Sequence, residues 1–198
     1  MFVKICGINS DEAVAAALEA GADALGFVFA ASVRQVSAVQ ATHLARAARG
    51  RAWCVAVTRS PTALQIEQMF EVFAPDRWQT DHGDTGTLSV EAQGKVLPVF
   101  RENEPLPERL PDCLLFEGAQ SGVGRTADWE QARRLATRTR LILAGGLHPG
   151  NVADAIHRVK PWGVDASSGV ESSPGRKCPQ KIHEFVKTAR AAFEEISE

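Results

Sequence analysis

The chain has 198 residues, and 44% of them are hydrophobic, which suits one domain with a sizeable core. The 22 lysines and arginines are spread along the chain and the formal net charge is −2, so no basic footprint for nucleic acid is present. Because the sequence has neither an apolar run of about 18 residues nor a basic leader before an apolar segment, it predicts no membrane partner, no secretory signal and a cytoplasmic location.

The four cysteines are too far apart to indicate a metal site. Cys6, Cys54, Cys113 and Cys178 form no CxxC pair and have no paired histidine spacing. Zinc sites and disulfide frameworks have denser patterns, so reduced thiols are the simpler interpretation.

Short apolar runs alternate with longer amphipathic ones along the chain. The predicted strands, in order, are 2–6, 24–29, 53–57, 76–80, 96–100, 113–116, 140–146 and 162–167. The predicted helices are 10–21, 36–50, 60–73, 126–136, 149–159 and 179–195, with a weaker helical segment near 87–92. Ser10 is a candidate N-cap of the first helix, and Gly21 a stop signal at its end.

This alternation predicts the fold class. Several strand candidates are apolar throughout, as expected for strands buried on both faces of a parallel sheet. Eight strand–helix units predict an α/β fold, a single-domain (β/α)8 TIM barrel over residues 1–198. A doubly wound open sheet is the alternative on pattern alone.

Catalytic groups of such barrels lie at the C-terminal ends of the strands. After the seventh and eighth strands the sequence has Gly145-Gly146 and Ser167-Ser168-Gly169. Exposed backbone and hydroxyl groups at these two positions are typical of a phosphate site, whereas either motif alone is more often an ordinary turn.

Three other residues at strand ends are open to two interpretations each. Cys6 alone is most often a core residue, and Arg34 alone a surface charge, although arginine also binds phosphate or carboxylate with two hydrogen bonds. Asp128 alone most often caps the helix that follows. In the same loop, Gly122 and Gly124 are spaced like a flexible lid or a phosphate-approach loop.

Five motifs together resemble one enzyme family. They are KICGI at 4–8, GADALGFVF at 21–29 followed by SVRQVS at 32–37, GVGRTADW at 122–129, LAGGLHPGNV at 143–152 and GVDASSGVESSPG at 163–175. In this order and at this spacing the chain resembles the phosphoribosylanthranilate isomerases of tryptophan biosynthesis.

The resemblance implies an activity and a role for each candidate residue. The family converts N-(5′-phosphoribosyl)anthranilate to 1-(2-carboxyphenylamino)-1-deoxyribulose 5-phosphate by an Amadori rearrangement, without a metal or organic cofactor. The family's general base falls on Cys6 and its general acid on Asp128. Arg34 and Asp165 fall on substrate-binding positions. The phosphate site falls on Gly145, Gly146, Ser167, Ser168 and Gly169. The implied partner is a small phosphorylated substrate, handled by a monomer or homodimer.

The chain departs from the family pattern in three places. After the fourth strand the family usually has VQLHG, and this chain has WQTDHGD at 78–84, so either Asp81 or His82 takes the histidine position. Val33 and Gln35 flank Arg34 where a proline and an aromatic residue are usual, and Asn9 replaces a threonine. No histidine partner that would lower the pKa of Cys6 can be assigned from the sequence.

Rival interpretations use different residues. A related isomerase of the histidine pathway would have an aspartate where this chain has Cys6, and indole-glycerol-phosphate synthase would need catalytic lysines at several strand ends. A non-catalytic barrel that binds a sugar phosphate is the alternative from another functional class.

Overall fold

The structure is a computed structural model that describes residues 1–87, 94–119 and 126–196. The eight parallel strands close into one barrel in sequence order. The strands are β1 Phe2–Cys6, β2 Ala24–Val28, β3 Trp53–Val57, β4 Arg77–Asp81, β5 Val96–Arg101, β6 Cys113–Glu117, β7 Arg140–Leu143 and β8 Gly163–Ala166. Closure occurs where β1 pairs with β8, with Lys4 beside Asp165. The predicted barrel is confirmed, and the open sheet is excluded.

Helices surround the barrel. Their bounds are α1 Asp11–Glu19, α2 Ala38–Ala45, α3 Ala63–Val72, α4 Trp129–Ala136, α5 Val152–Val159 and α6 Pro179–Glu195. Ser10 caps α1 as predicted, with its side chain accepting a hydrogen bond from the Ala13 amide. Among the described residues, no helix is long and apolar enough to cross a membrane.

Several predicted bounds were too generous. The second helix, expected to reach Gly50, ends at Ala45, and tight turns follow it. The third begins at Ala63 because Thr62 and Gln65 form a capping box two residues beyond the predicted start. The seventh strand ends at Leu143, before Gly145 and Gly146, whose positive φ angles of 87° and 65° end the extended backbone.

Other bounds shift for similar local reasons. The helices predicted from 126 and 149 begin three residues later, at Trp129 and Val152. Asp128, the N-cap of the first, has an extended backbone, and a turn over 149–151 precedes the second. Residues 82–87 form a 3₁₀ segment, and most of the weaker helix expected near 87–92 lies outside the described residues.

One element was missed by the sequence analysis. After β8, a 3₁₀ turn over Ser168–Val170 leads into a short antiparallel hairpin of β9 Glu171–Ser173 and β10 Arg176–Lys177. The hairpin runs from the loop after β8, which the sequence predicts to bind phosphate, to the start of α6, so Glu171 and Lys177 lie beside the barrel mouth.

Alternation along the strands separates two apolar layers. In β1, Val3 and Ile5 belong to the large cluster between the barrel and its helices, whereas Phe2 packs with Leu97, Leu115 and other inward residues. By the same period of two, Lys4 and Cys6 point into the barrel. The apolar interior therefore gives way to polar side chains toward the C-terminal ends of the strands.

Candidate active site

Cys6 is the last residue of β1 and lies buried at the C-terminal end of the barrel. Neighbouring β2 leaves room for it, because a Cβ at Gly26 would lie 2.9 Å from Cys6 Sγ and 3.2 Å from Lys4 Cε. Glycine at position 26 thus lets both side chains fit into the barrel interior. The thiol lines a cavity of about 260 Å³ at the mouth.

A buried ion pair lies next to Cys6. Lys4 Nζ is 2.8 Å from Asp165 Oδ1, and the Lys4 side chain is completely buried. Burial raises the pKa of the Cys6 thiol above its ordinary 9.0. The positive charges of Lys4 and Lys177 act to lower this pKa, and the negative charge of Asp165 acts to raise it. The structure therefore brings two predicted site residues, Cys6 and Asp165, to one end of the barrel, together with two cations.

Arg34 is oriented by the hairpin. Its Nε and Nη2 atoms donate to the two carboxylate oxygens of Glu171 at 2.7 and 2.9 Å. Burial acts to raise the pKa of Glu171, but hydrogen bonds from Arg34 and Lys177 lower it to about 2. The planar pair leaves Arg34 in a defined position between the mouth cavity and a second cavity of about 470 Å³, both of which it lines.

The two predicted phosphate loops meet at this second cavity. Gly146, Ser168 and Gly169 line it, and Ser167 lines the mouth cavity. A Cβ on Gly169 would lie 2.0 Å from the carbonyl oxygen of Leu147, so the loops after β7 and β8 touch there. Gly145 lies in the same loop as Gly146 and approaches the loop after β6, since its Cβ would lie 3.0 Å from the Gly118 amide nitrogen.

Asn151, which the sequence analysis did not single out, holds the loop after β7. Its Oδ1 atom accepts from the His148 amide at 2.8 Å, and its Nδ2 atom donates to the Gly146 carbonyl at 3.0 Å. The side chain therefore braces the predicted phosphate loop from within.

The opposite side of the mouth carries a second charged group. Arg101 Nη2 lies 2.7 Å from Asp81 Oδ1 and 2.9 Å from Glu117 Oε1, and all three residues line the mouth cavity. The Gln79 amide oxygen is buried there with no hydrogen-bond partner among the described residues. Arg59, 3.6 Å from Asp81, also reaches this cavity.

Asp81 and His82 have different surroundings in the structure. Asp81 is the last residue of β4 and faces the mouth, whereas His82 begins the 3₁₀ segment and stacks on Phe100 at 4.3 Å between ring centroids. In this chain, an aspartate held by arginine takes the position at the mouth.

Comparison with known proteins identifies the family of the chain. The family model for N-(5′-phosphoribosyl)anthranilate (PRA) isomerase matches residues 3–188. This chain belongs to the phosphoribosylanthranilate isomerase family. The family's curated N-(5′-phosphoribosyl)anthranilate isomerase from Roseiflexus castenholzii is 40% identical, over 97% of this chain and 99% of that protein.

Solved members of the family share the fold. The phosphoribosyl anthranilate isomerase from Thermus thermophilus superposes with a TM-score of 0.82 at 30% identity, covering 96% of this chain and 99% of that one. A second phosphoribosyl anthranilate isomerase structure superposes with a TM-score of 0.75 at 28% identity, covering 96% of this chain and 99% of that one. It was crystallised in complex with reduced 1-(o-carboxyphenylamino)-1-deoxyribulose 5-phosphate.

Asp128 is the predicted residue that the structure places apart from the others. It is exposed, caps α4 by accepting the Glu130 and Gln131 amides at Oδ1, and lines neither of the two cavities as the described residues define them. Residues 120–125 of the same loop, which include Gly122 and Gly124, lie outside the described residues. Within the described part of the chain, both capping hydrogen bonds of Asp128 are accepted by Oδ1.

Proposed function

We propose that this chain isomerises N-(5′-phosphoribosyl)anthranilate to 1-(2-carboxyphenylamino)-1-deoxyribulose 5-phosphate in tryptophan biosynthesis. The observation that carries the proposal is Cys6 at the end of β1, flanked by Arg34 and by the two glycine-containing loops. The substrate has a phosphate, a sugar and a carboxylated ring. Those three groups need an anion site, a proton-transfer group and a carboxylate partner, in that order.

Each substrate group has a candidate partner. Backbone around Gly145, Gly146 and Ser167–Gly169 would bind the phosphate, because bare backbone approaches an anion closely. Arg34 would pair with the anthranilate carboxylate, since its guanidinium group suits planar carboxylates. Asp165 would contact the sugar from β8.

The reaction then needs one acid and one base. Asp128 would protonate the ring oxygen as the bond from that oxygen to C1 breaks, which gives an open Schiff base. The Cys6 thiolate would remove the C2 proton to give an enolamine, which tautomerises to the ketone. Substrate and product are isomers, and opening the ring and moving the protons need only an acid and a base, so the proposal invokes no redox group. We also propose a cytoplasmic location and a monomer or homodimer.

Turnover of the substrate by the purified protein tests the proposal. Anthranilate-type fluorescence should decay when protein is added. The same compound without its phosphate should react with kcat/KM lower by at least about 100-fold, because binding energy from the phosphate is used in the transition state. Binding of the phosphorylated substrate without any fluorescence decay would instead support a non-catalytic sugar-phosphate-binding barrel and refute the isomerase.

A further inference from the structure

The ammonium group of Lys177 lies against the turn that follows Cys6. Its side chain is only 1% exposed, and Nζ donates to Glu171 Oε1 at 2.8 Å and to the Ser167 carbonyl at 3.0 Å. A Cβ on Gly7 would lie 3.2 Å from this Nζ and 2.6 Å from Arg34 Cδ. Two cationic side chains therefore converge on the residue next to the thiol.

The charged groups around Cys6 do not balance. Lys4 on β1 is paired with Asp165 on β8, and Glu171 on β9 is shared between Arg34 and Lys177. Three cations thus face two carboxylates, which leaves one positive charge in a region shielded from water. An uncompensated buried charge is costly, and a negative charge at Cys6 would neutralise it.

We propose that Lys177 is a positioning residue that stabilises the Cys6 thiolate, and that Glu171 holds Lys177 and Arg34 together around it. The inference rests on the proposed function only for the role of that thiolate as a base. In the step it serves, the C2 proton moves to Sγ, the C2–H electron pair becomes the C1–C2 double bond, and the C–N π pair moves onto nitrogen. The hairpin that carries Glu171 and Lys177 is therefore part of the catalytic apparatus.

This arrangement also answers the question that Cys6 raises in the sequence. Lys4 and Lys177 approach the thiol from β1 and β10, and both act to lower its pKa against the effect of burial, which is the part a histidine partner would otherwise play. Lys4 is already neutralised by its own carboxylate, whereas Lys177 shares Glu171 with Arg34. Lys177 is accordingly the cation that can be removed while Arg34 still holds its carboxylate, whereas loss of Lys4 would also break the Lys4–Asp165 pair.

Alkylation of Cys6 by iodoacetamide across a pH series, read by peptide mass spectrometry, tests this without substrate. Lys177→Met should raise the pH midpoint of Cys6 alkylation by about one unit or more, because one buried cation is removed. Lys177→Arg should stay within about 0.3 unit of wild type, since it keeps the charge. Lys181→Met is the matched control, because Lys181 donates to the main-chain oxygen of Glu171 and, within the described ranges, has no ion pair with a carboxylate.

Glu171→Gln is a second variant for which the expected shift of the Cys6 alkylation midpoint has the opposite sign. It leaves the cluster more positive, so the midpoint of Cys6 alkylation should fall. Loosened packing would also lower the midpoint, because burial raises the pKa of Cys6. The rise expected in Lys177→Met therefore distinguishes loss of a cation from loss of packing. An unchanged midpoint in Lys177→Met, or shifts of one sign in both variants, would overturn the proposal. If Lys177→Met does not fold, Lys177→Gln, which keeps a polar side chain without the charge, replaces it and should raise the midpoint in the same way.

Turnover separates this inference from the proposed function. Opposite alkylation shifts in a protein that never consumes the substrate would refute the isomerase and leave the role of Lys177 intact. Normal turnover with unchanged alkylation midpoints would support the isomerase and refute the role of Lys177.

Discussion

Lys4 Nζ lies 2.8 Å from Asp165 Oδ1, and the bond joins the first and last strands of the barrel directly beside Cys6. Burial acts to lower the pKa of Lys4, but Asp165 and Cys6 together outweigh it, so the pKa of Lys4 is raised above its ordinary value. Lys4 is thus held as a cation at the point of barrel closure. Asp165 has a structural role here in addition to the substrate contact proposed for it.

Asp165→Asn should destabilise the protein, because it leaves the Lys4 charge buried without its carboxylate. We expect the free energy of unfolding to fall by about 3 kcal/mol, measured by urea denaturation. Asp11→Asn is the control, since Asp11 forms an exposed pair with His43 at 3.7 Å and should change stability by less than about 1 kcal/mol. Equal effects of the two substitutions would contradict the proposed structural role.

Asp128→Asn separates the cap of α4 from the proposed acid. Asparagine caps helices as well as aspartate, so thermal stability should be unchanged, while kcat should fall by at least about 100-fold. Asp128→Ala should lose both the cap and the acid, so kcat should fall and the free energy of unfolding should decrease by about 1 kcal/mol. An Asp128→Asn enzyme with wild-type kcat would assign this side chain to capping alone.

The free energy of unfolding should depend on pH through Glu171. Its folded pKa of about 2 lies below the ordinary 4.5, so its ionised form stabilises the fold. That contribution is complete above pH 4.5 and is lost as the pH falls toward 2. Glu171→Gln should therefore be less stable than wild type at pH 6, and the gap should narrow on acidification. Glu67→Gln, on the exposed face of α3, should show no such gap, and parallel curves for wild type and Glu171→Gln would refute this role.

Gly169→Ala tests the contact between the two proposed phosphate loops. Its methyl group would lie 2.0 Å from the Leu147 carbonyl oxygen, so the loops must separate. We expect about 1–3 kcal/mol of destabilisation and a higher KM for the phosphorylated substrate. Gly83→Ala is matched to it, because a Cβ there meets no described atom within 4 Å, and it should leave both quantities unchanged. A wild-type KM in Gly169→Ala would remove this loop from phosphate binding.

Much of the fold follows from local sequence. The strands at 2–6 and 53–57 have the predicted bounds, because runs such as FVKIC and WCVAV are compatible with a strand buried on both faces. The β9–β10 hairpin was missed because ESSPGRK is short and polar, and polar segments with proline and glycine are typical of turns.

The site was less predictable for a related reason. Cys6 and the glycine-containing loops could be located because strand ends converge in a barrel. Lys177 could not, since its approach to Cys6 depends on the hairpin, and the sequence separation of the two residues is large. The choice between Asp81 and His82 likewise depends on strand register, which a one-residue slip reverses.

The most direct test of the account is the rate of substrate isomerisation by Cys6→Ser beside Cys178→Ser. Cys178 precedes α6 and lies outside both cavities as described, so its serine variant should retain wild-type kcat. Cys6→Ser should lose at least about 100-fold in kcat, because serine is far too weak an acid to supply an anion as base near neutral pH. A Cys6→Ser enzyme that isomerises the substrate at the wild-type rate would contradict the account.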